Sequence, residues 1–258
     1  MNIYEETKFI MKKYGIYANK SLGQNFLIDD DVINKIVESA NILEDDLVIE
    51  IGPGLGTLTN ELLKKAKKVI AIELDNRMIE ILEDRFSLYD NIEIINQDVL
   101  KVNLNEIIQK EKAQNGIKGT KIVANLPYYI TTPIIMKLLE EKGEFESITV
   151  MIQKEVADRL CETPGGKLSG AITYSIYYYA EAEKVLEVPH TSFIPAPEVD
   201  SEVINLKIRK EPPVEIKDEE KLFKMIKYAF MQRRKTLINA LSQCDLFERK
   251  RTNKKYLK

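Results

Sequence analysis

The chain has 258 residues, 44% of them hydrophobic and 31% charged, with a formal net charge of −3. This is an ordinary globular composition, sufficient for one large domain or a large and a small one. No membrane-spanning helix is expected, because no apolar run approaches the roughly 20 residues that cross a bilayer. The opening MNIYEETKFIMKK has no apolar centre and no small-residue cleavage site, so it does not read as a secretory signal.

The first strand is LVIEI (47–51), after a polar, helix-prone start. GPGLGTLTNELLKKA then reads as a glycine loop opening a helix, and KVIAIEL (68–74) as a second strand. DNRMIEILEDRF carries apolar residues at helical spacing, NIEIINQD is a third strand with a polar end, and TKIVANLPYY contains a fourth. TPIIMKLLEEKG reads as a helix with Pro133 in its first turn and Gly143 at its end. ESITVMIQ is a fifth strand, KEVADRLC a helix, and TPGGKLSG a flexible loop. KVLEVPHTSFIPAPEVDSEVINLKI reads as two strands joined through prolines. KEPPVEI (210–216) is a linker, and EEKLFKMIKYAFMQRRKTLINAL is helical. Strands alternating with helices predict an open, mostly parallel α/β sheet, whose ligands sit outside the carboxyl ends of the strands. The boundary expected near Lys210 divides the chain into residues 1–209 and a small helical domain, 210–258.

Cys161 and Cys244 form no CxxC and are expected to be reduced thiols in a cytoplasmic protein. With one histidine, His190, a Cys/His zinc site lacks ligands, so no metal is expected. His190, in VPH at a strand end, reads as structural; a Ser-His-Asp relay around it has little support. Charge is uneven: from Lys207 onward there are 16 basic and 7 acidic residues, net +9, which leaves −12 on the rest. A basic end on an acidic body suits either a nucleic-acid footprint or a solvated helix face.

EIGPGLG (50–56) places Gly52, Gly54 and Gly56 in one loop before a helix start, where backbone can approach a ligand closely. The dinucleotide pattern G-x-G-x-x-G is not matched. Glu73, at the second strand's end, can accept both hydroxyls of a ribose; its plain alternative is a charge at a helix N-terminus. Asp98, at the third strand's end, can accept from an adenine amine or cap the next helix. An adenosine without a pyrophosphate fits this set, and S-adenosylmethionine is the expected cofactor.

NLPYY (125–129) ends the fourth strand, where a strand-ending turn with a buried aromatic is the plain alternative. Above it, a sulfonium methyl must be met in line by a nucleophile. An exocyclic adenine amine is a poor one, because its lone pair is delocalised. The Asn125 side-chain oxygen and the Leu126 carbonyl can each accept one N–H and favour a more tetrahedral nitrogen. Pro127 would aim that carbonyl outward, Tyr128 would stack on the base, and Tyr129 would pack behind Tyr128. A base within a duplex must first be flipped out or presented on a loop.

SLGQNFLIDDDVI, EIGPGLGTLT, VIAIELD, NQDVL, NLPYYITTPII, MIQKEVADRL, FIPAPEVDSEVI and QRRKTLINAL occur in this order between residues 14 and 241. The chain resembles the ribosomal RNA adenine N6-dimethyltransferases, nearest to their bacterial small-subunit (16S) branch. The resemblance implies a Rossmann-like class I S-adenosylmethionine-dependent methyltransferase fold. It implies that Asn25 and Leu27 close over the cofactor, that Gly52, Glu73, Asp98 and Asn125 contact it, and that Phe193 stacks on the target base opposite Tyr128. A plain core aromatic is the alternative for Phe193. The 29–31 aspartate run is expected to cap a helix. Arg233, Arg234 and Lys235 would contact RNA phosphates, or form a solvated face.

The substrate implied is a pair of adjacent adenines in the 3′-terminal hairpin loop of 16S rRNA, each dimethylated, within the immature 30S subunit, by a monomer. SQCDLFERKRTNKKYLK departs from the family's usual further helices and reads as a shortened or altered end that puts substrate docking in question. The alternatives are a 23S rRNA methyltransferase of the macrolide-resistance type, a DNA adenine methyltransferase, and a non-catalytic ribosome assembly factor. GQNFL and NLPYYITTP set the chain apart from the resistance type, which tends to have SQNFL and NIPY.

Overall fold

The structure, a computed structural model, describes residues 2–19, 22–231 and 236–241. The chain opens with α1 (Ile3–Tyr14), β1 (Phe26–Leu27), α2 (Asp30–Ser39), β2 (Asp46–Ile51), α3 (Thr57–Leu63), β3 (Lys68–Glu73) and α4 (Asn76–Arg85). It continues through β4 (Ile92–Asn96), α5 (Leu104–Asn115), β5 (Gly119–Asn125), α6 (Thr131–Glu140), β6 (Ser147–Gln153) and α7 (Lys154–Leu160). Then come α8 (Ala171–Tyr179), β7 (Ala180–Val188), β8 (Phe193–Ile194), β9 (Ser201–Ile208), α9 (Glu219–Met231) and α10 (Leu237–Leu241).

Seven strands form one sheet in the order β4-β3-β2-β5-β6-β9-β7. The first five run parallel, and β9 pairs antiparallel with both β6 and β7. β2, β5 and β6 are near-continuous apolar runs because helices cover both faces. Alternate residues feed two cores. Val48, Val69 and Val123 meet Ile33, Ile36, Leu58, Leu62 and Leu82 of α2, α3 and α4. Ile49, Ile70 and Ile122 meet Leu104, Ile135, Leu138, Leu160 and Ile176 of α5 to α8. Each such aliphatic side chain contributes about 1.5–3 kcal/mol on burial.

The chain leaves β2 for β3 and β4 on one side, then returns to β5 on the other. β2 and β5 therefore flank the switch point, the usual place for a ligand crevice. Asp29 accepts from the Asp31 and Val32 N–H groups and caps α2, as expected of the aspartate run.

Sequence reading left α5 and α8 unassigned. In α8, AITYSIYYY is rich in strand-forming residues, but Ile176 packs into the core between α6, α7 and the sheet, and tertiary burial overrides the propensity. Helix α6 stops at Glu140 rather than at Gly143, and the left-handed residue is Lys142 (φ +47°). Gly143 is instead a matter of space, since a Cβ there would lie 2.2 Å from the Phe145 ring.

Residues 209–218 hold neither helix nor strand. α9 docks on α8 through aromatic contacts. Phe223 lies 5.4 Å from the rings of both Tyr178 and Tyr179, and Phe230 lies 5.6 Å from Tyr174. The Glu219 carboxylate accepts from both tyrosine hydroxyls and pairs with Lys142 at 2.7 Å. Among the described residues no helix is long and apolar enough to cross a membrane.

Candidate active site

Strand register assembles the site. Ile51 stands opposite Ile72 on one side and Ala124 on the other, so the next residues, Gly52, Glu73 and Asn125, leave the sheet at one level. Glu73 in turn stands opposite Asn96, two residues before Asp98. All four predicted residues line one cavity at the carboxyl edge, together with Gly54, Asn25, Leu27, Leu126, Pro127, Tyr128 and Phe193.

The glycine loop turns through the left-handed region at Gly52 (φ +69°) and Gly54 (φ +57°). A Cβ on Gly52 would meet nothing nearer than the Asn125 carbonyl oxygen at 3.9 Å. It would stand in the cavity, in the space a ligand needs. Gly56 does not serve the cavity as expected. It caps α3 at φ +80°, and a Cβ there would strike Phe86 at 2.7 Å and Leu82 at 2.9 Å. Its lack of a side chain makes room for the core beneath α3.

Glu73 is nearly buried. Its carboxylate accepts from the backbone N–H groups of Gly54 (3.1 Å), Leu74 (2.7 Å) and Asp75 (2.9 Å). Burial pushes this carboxyl up, and the three N–H groups pull against that shift. Asp98 Oδ1 caps the short helical turn at Leu100, and the residue also lines the cavity.

Asn125 lines the cavity from the end of β5. Its Nδ2 lies 3.5 Å from the Asn25 carbonyl, a long contact by hydrogen-bond standards, and this orients the amide. Its Oδ1 has no partner among the described residues. Nor does the Leu126 carbonyl, although the Leu126 N–H donates to Met151 at 3.2 Å. Pro127 (φ −58°, ψ 133°) turns the chain, and its carbonyl accepts from the Ile130 N–H and the Thr131 hydroxyl. Two unpaired acceptors on a fixed turn suit a group that donates two N–H bonds.

Tyr128 is half-buried, and its hydroxyl lies 2.7 Å from Ser201 Oγ. Phe193 is 3% exposed and paired with Leu27 through the β1–β8 bridge, so it is at once a core aromatic and a cavity wall. Tyr129 does not pack behind Tyr128. It is 59% exposed, and its ring covers Gly23, where a Cβ would lie 3.3 Å from it. Arg233, Arg234 and Lys235 lie outside the described residues.

A model described as ribosomal RNA adenine dimethylase matches residues 15–256. The chain belongs to this family. A relative from Geobacillus thermodenitrificans, named ribosomal RNA small subunit methyltransferase A, is 53% identical over 235 residues, covering 91% of this chain and 80% of that protein. Two solved structures are similar at 30% identity. A dimethyladenosine transferase from Plasmodium falciparum has a TM-score of 0.72 and covers 84% of this chain and 75% of that one. The 23S rRNA methyltransferase ErmE has a TM-score of 0.67 and covers 84% of each. The adenine dimethylase fold is thus the Rossmann-like class I methyltransferase fold, and the cofactor is S-adenosylmethionine. The cleft fits it: open space at Gly52, a buried carboxylate for a diol and a second acceptor at Asp98 match an adenosine without a pyrophosphate.

Three features of this dimethylase cleft were not read from the sequence. Glu50 lines it, buried, and accepts from the Thr59 hydroxyl at 2.6 Å; the signal was an acid inside the apolar run LVIEI. Gln24 donates to Asp75 at 2.9 Å and ties the N-terminal loop to the turn after β3. Ser201 holds Tyr128, and no local pattern marks it. His190 is not at the cleft; its Nδ1 lies 2.8 Å from Asp200.

Proposed function

We propose that this chain dimethylates the N6 amines of two adjacent adenines in the 3′-terminal hairpin loop of 16S rRNA. It acts in the cytoplasm, as a monomer, on the immature 30S subunit. The carrying observation is the pair of unpaired acceptors, Asn125 Oδ1 and the Leu126 carbonyl, at the rim shared by Gly52, Glu73 and Asp98. The small-subunit substrate is supported by the name of the 53%-identical relative. The large-subunit alternative is supported by the name of a 30%-identical structure.

S-adenosylmethionine supplies an electrophilic methyl group. Glu73 accepts the ribose hydroxyls, Asp98 accepts from the adenine amine of the cofactor, and Gly52 and Gly54 allow close backbone approach. Asn25 and Leu27 close the cleft from the N-terminal side. Asn125 Oδ1 and the Leu126 carbonyl accept the two N–H bonds of the target amine and turn its lone pair toward the methyl. Pro127 fixes the turn that presents them. Tyr128 covers one face of the flipped base and Phe193 the other, with stacking worth about 1–3 kcal/mol per base. Positioning and oriented dipoles carry the rate, so no strong base is needed. Residues 1–209 form the catalytic domain. Residues 210–258 form a small basic helical domain, in which Arg233, Arg234 and Lys235 contact RNA phosphates.

The test is radiolabelled methyl transfer by this chain to unmethylated 30S subunits, 23S rRNA and duplex DNA. Label is expected in the 3′ end of 16S rRNA alone. Label confined to 23S rRNA or to DNA would sink the reading.

A further inference from the structure

We propose that Ser201 is a positioning residue for methyl transfer, holding the Tyr128 ring in its stacking plane through the hydroxyl–hydroxyl bond. The inference rests on the proposed role of Tyr128 at the target base. The Tyr128 hydroxyl and Ser201 Oγ are 2.7 Å apart, across 73 residues of chain.

Ser201 is well built as an anchor. It is 0% exposed and opens β9, where it stands opposite Gln153 of β6 and Val188 of β7. Its neighbour Asp200 is fixed too. The Asp200 carbonyl accepts from the Lys154 N–H at 3.0 Å, and its carboxylate accepts from the His190 N–H at 2.9 Å. Ser201 Oγ is therefore attached to a strand paired on both sides, between β6 and β7.

Tyr128, by contrast, sits on a turn. The backbone is held by the Pro127 carbonyl contacts, but the ring direction depends on two side-chain torsions. A bond at the far end of the ring fixes its tilt before a base arrives. A stacking surface set in advance orients the amine toward the methyl without adding affinity for RNA, which is dominated by phosphate contacts. The loss should therefore appear in kcat rather than in KM.

The experiment compares wild type, Ser201→Ala, Tyr128→Phe and the double variant, on undermethylated 30S subunits and by NMR of protein carrying 13Cζ-tyrosine. Ser201→Ala is expected to lower kcat about tenfold with the RNA KM within twofold, the loss of one buried hydrogen bond. Tyr128→Phe is expected to lose a similar factor, and the double variant no more than either. In the NMR arm, the Tyr128 signal, assigned by its absence in Tyr128→Phe, should shift in Ser201→Ala. Its titration should move upward, because the bond to Ser201 favours the phenolate.

An unmoved Tyr128 signal overturns the proposal, as do multiplying losses in the double variant or a Ser201→Ala kcat equal to wild type. Inactivity of the wild type on 30S subunits would instead overturn the substrate reading, with the NMR arm still deciding the tether.

Discussion

Glu50 is expected to make the cofactor-free protein less stable as pH rises. The residue is 1% exposed, on a strand covered on both faces, with one hydrogen bond from Thr59 and the Glu73 carboxylate nearby. Burial, the dominant cause, raises its pKa from 4.5 to about 8; the Thr59 bond opposes the shift and the Glu73 charge adds to it. The folded protein thus keeps this proton up to pH about 8, whereas the unfolded chain releases it near 4.5. Between those values the native state binds more protons, so stability falls by about 1.4 kcal/mol per pH unit. At pH 7 the accumulated cost is about 3 kcal/mol, and it levels off above pH 8. Glu50→Gln retains an acceptor for Thr59 and cannot ionise. Urea unfolding of both proteins at pH 5, 6, 7, 8 and 9 should show Glu50→Gln gaining on wild type until about pH 8. Any fixed cost of the new amide offsets the whole curve but not its slope. A stability difference that is flat from pH 5 to 8 would refute the reasoning. The cationic cofactor favours the carboxylate, so saturation with it should shrink the slope.

Asn125→Ala should lower methyl transfer on the order of 10²-fold or more while leaving RNA binding by filter retention largely intact; normal turnover would remove the amide from the mechanism. Gly56→Ala should destabilise the protein by about 3 kcal/mol in chemical denaturation, from its left-handed backbone and the 2.7 Å approach to Phe86; a loss under 1 kcal/mol would show that the core yields easily. Burial pushes the Cys161 thiol up to about 11, so in a Cys244→Ser background labelling by a thiol reagent at pH 7.5 should be at least 100-fold slower than for a free cysteine. Rapid stoichiometric labelling would contradict that burial.

The parallel half of the sheet was legible because its strands are continuous apolar runs ending in chemistry: Gly52 after IEI, Glu73 after VIAI, Asn125 after KIVA. Period and punctuation are local, so one sequence can carry them. What failed was set by distant contacts. Helix α8 has no helical signal in its strand-forming residues until Ile176 is seen in its core, and Gly56 reads as a ligand contact until Phe86 is seen beneath it. Tyr129 looked like a second wall behind Tyr128 because the two are adjacent. The turn after Pro127 sends it to the N-terminal loop at Gly23 instead. Ser201 was invisible for the same reason, since its partner lies 73 residues away.

The site joins two kinds of constraint. Gly52, Glu73 and Asn125 share a level because β2, β3 and β5 are parallel neighbours in fixed register, and a one-residue slip in β5 would turn Asn125 to the other face. That register is held by buried side chains on both faces and is costly to disturb. The N-terminal segment reaches the same point by a separate route: Ile10, Ile16 and Phe26 pack with Leu55, Met78 and Ile81, Glu6 pairs with Arg85, and the β1–β8 bridge, the Gln24–Asp75 bond and a 3.5 Å contact from Asn125 to Asn25 complete the attachment. Sheet register fixes the groups that align the reacting atoms, and a smaller apolar cluster holds the segment that lies over them. Lifting that segment would expose Phe26 and the cluster around it as well as break those hydrogen bonds, whereas the aligned rim is held by the sheet register and does not depend on it.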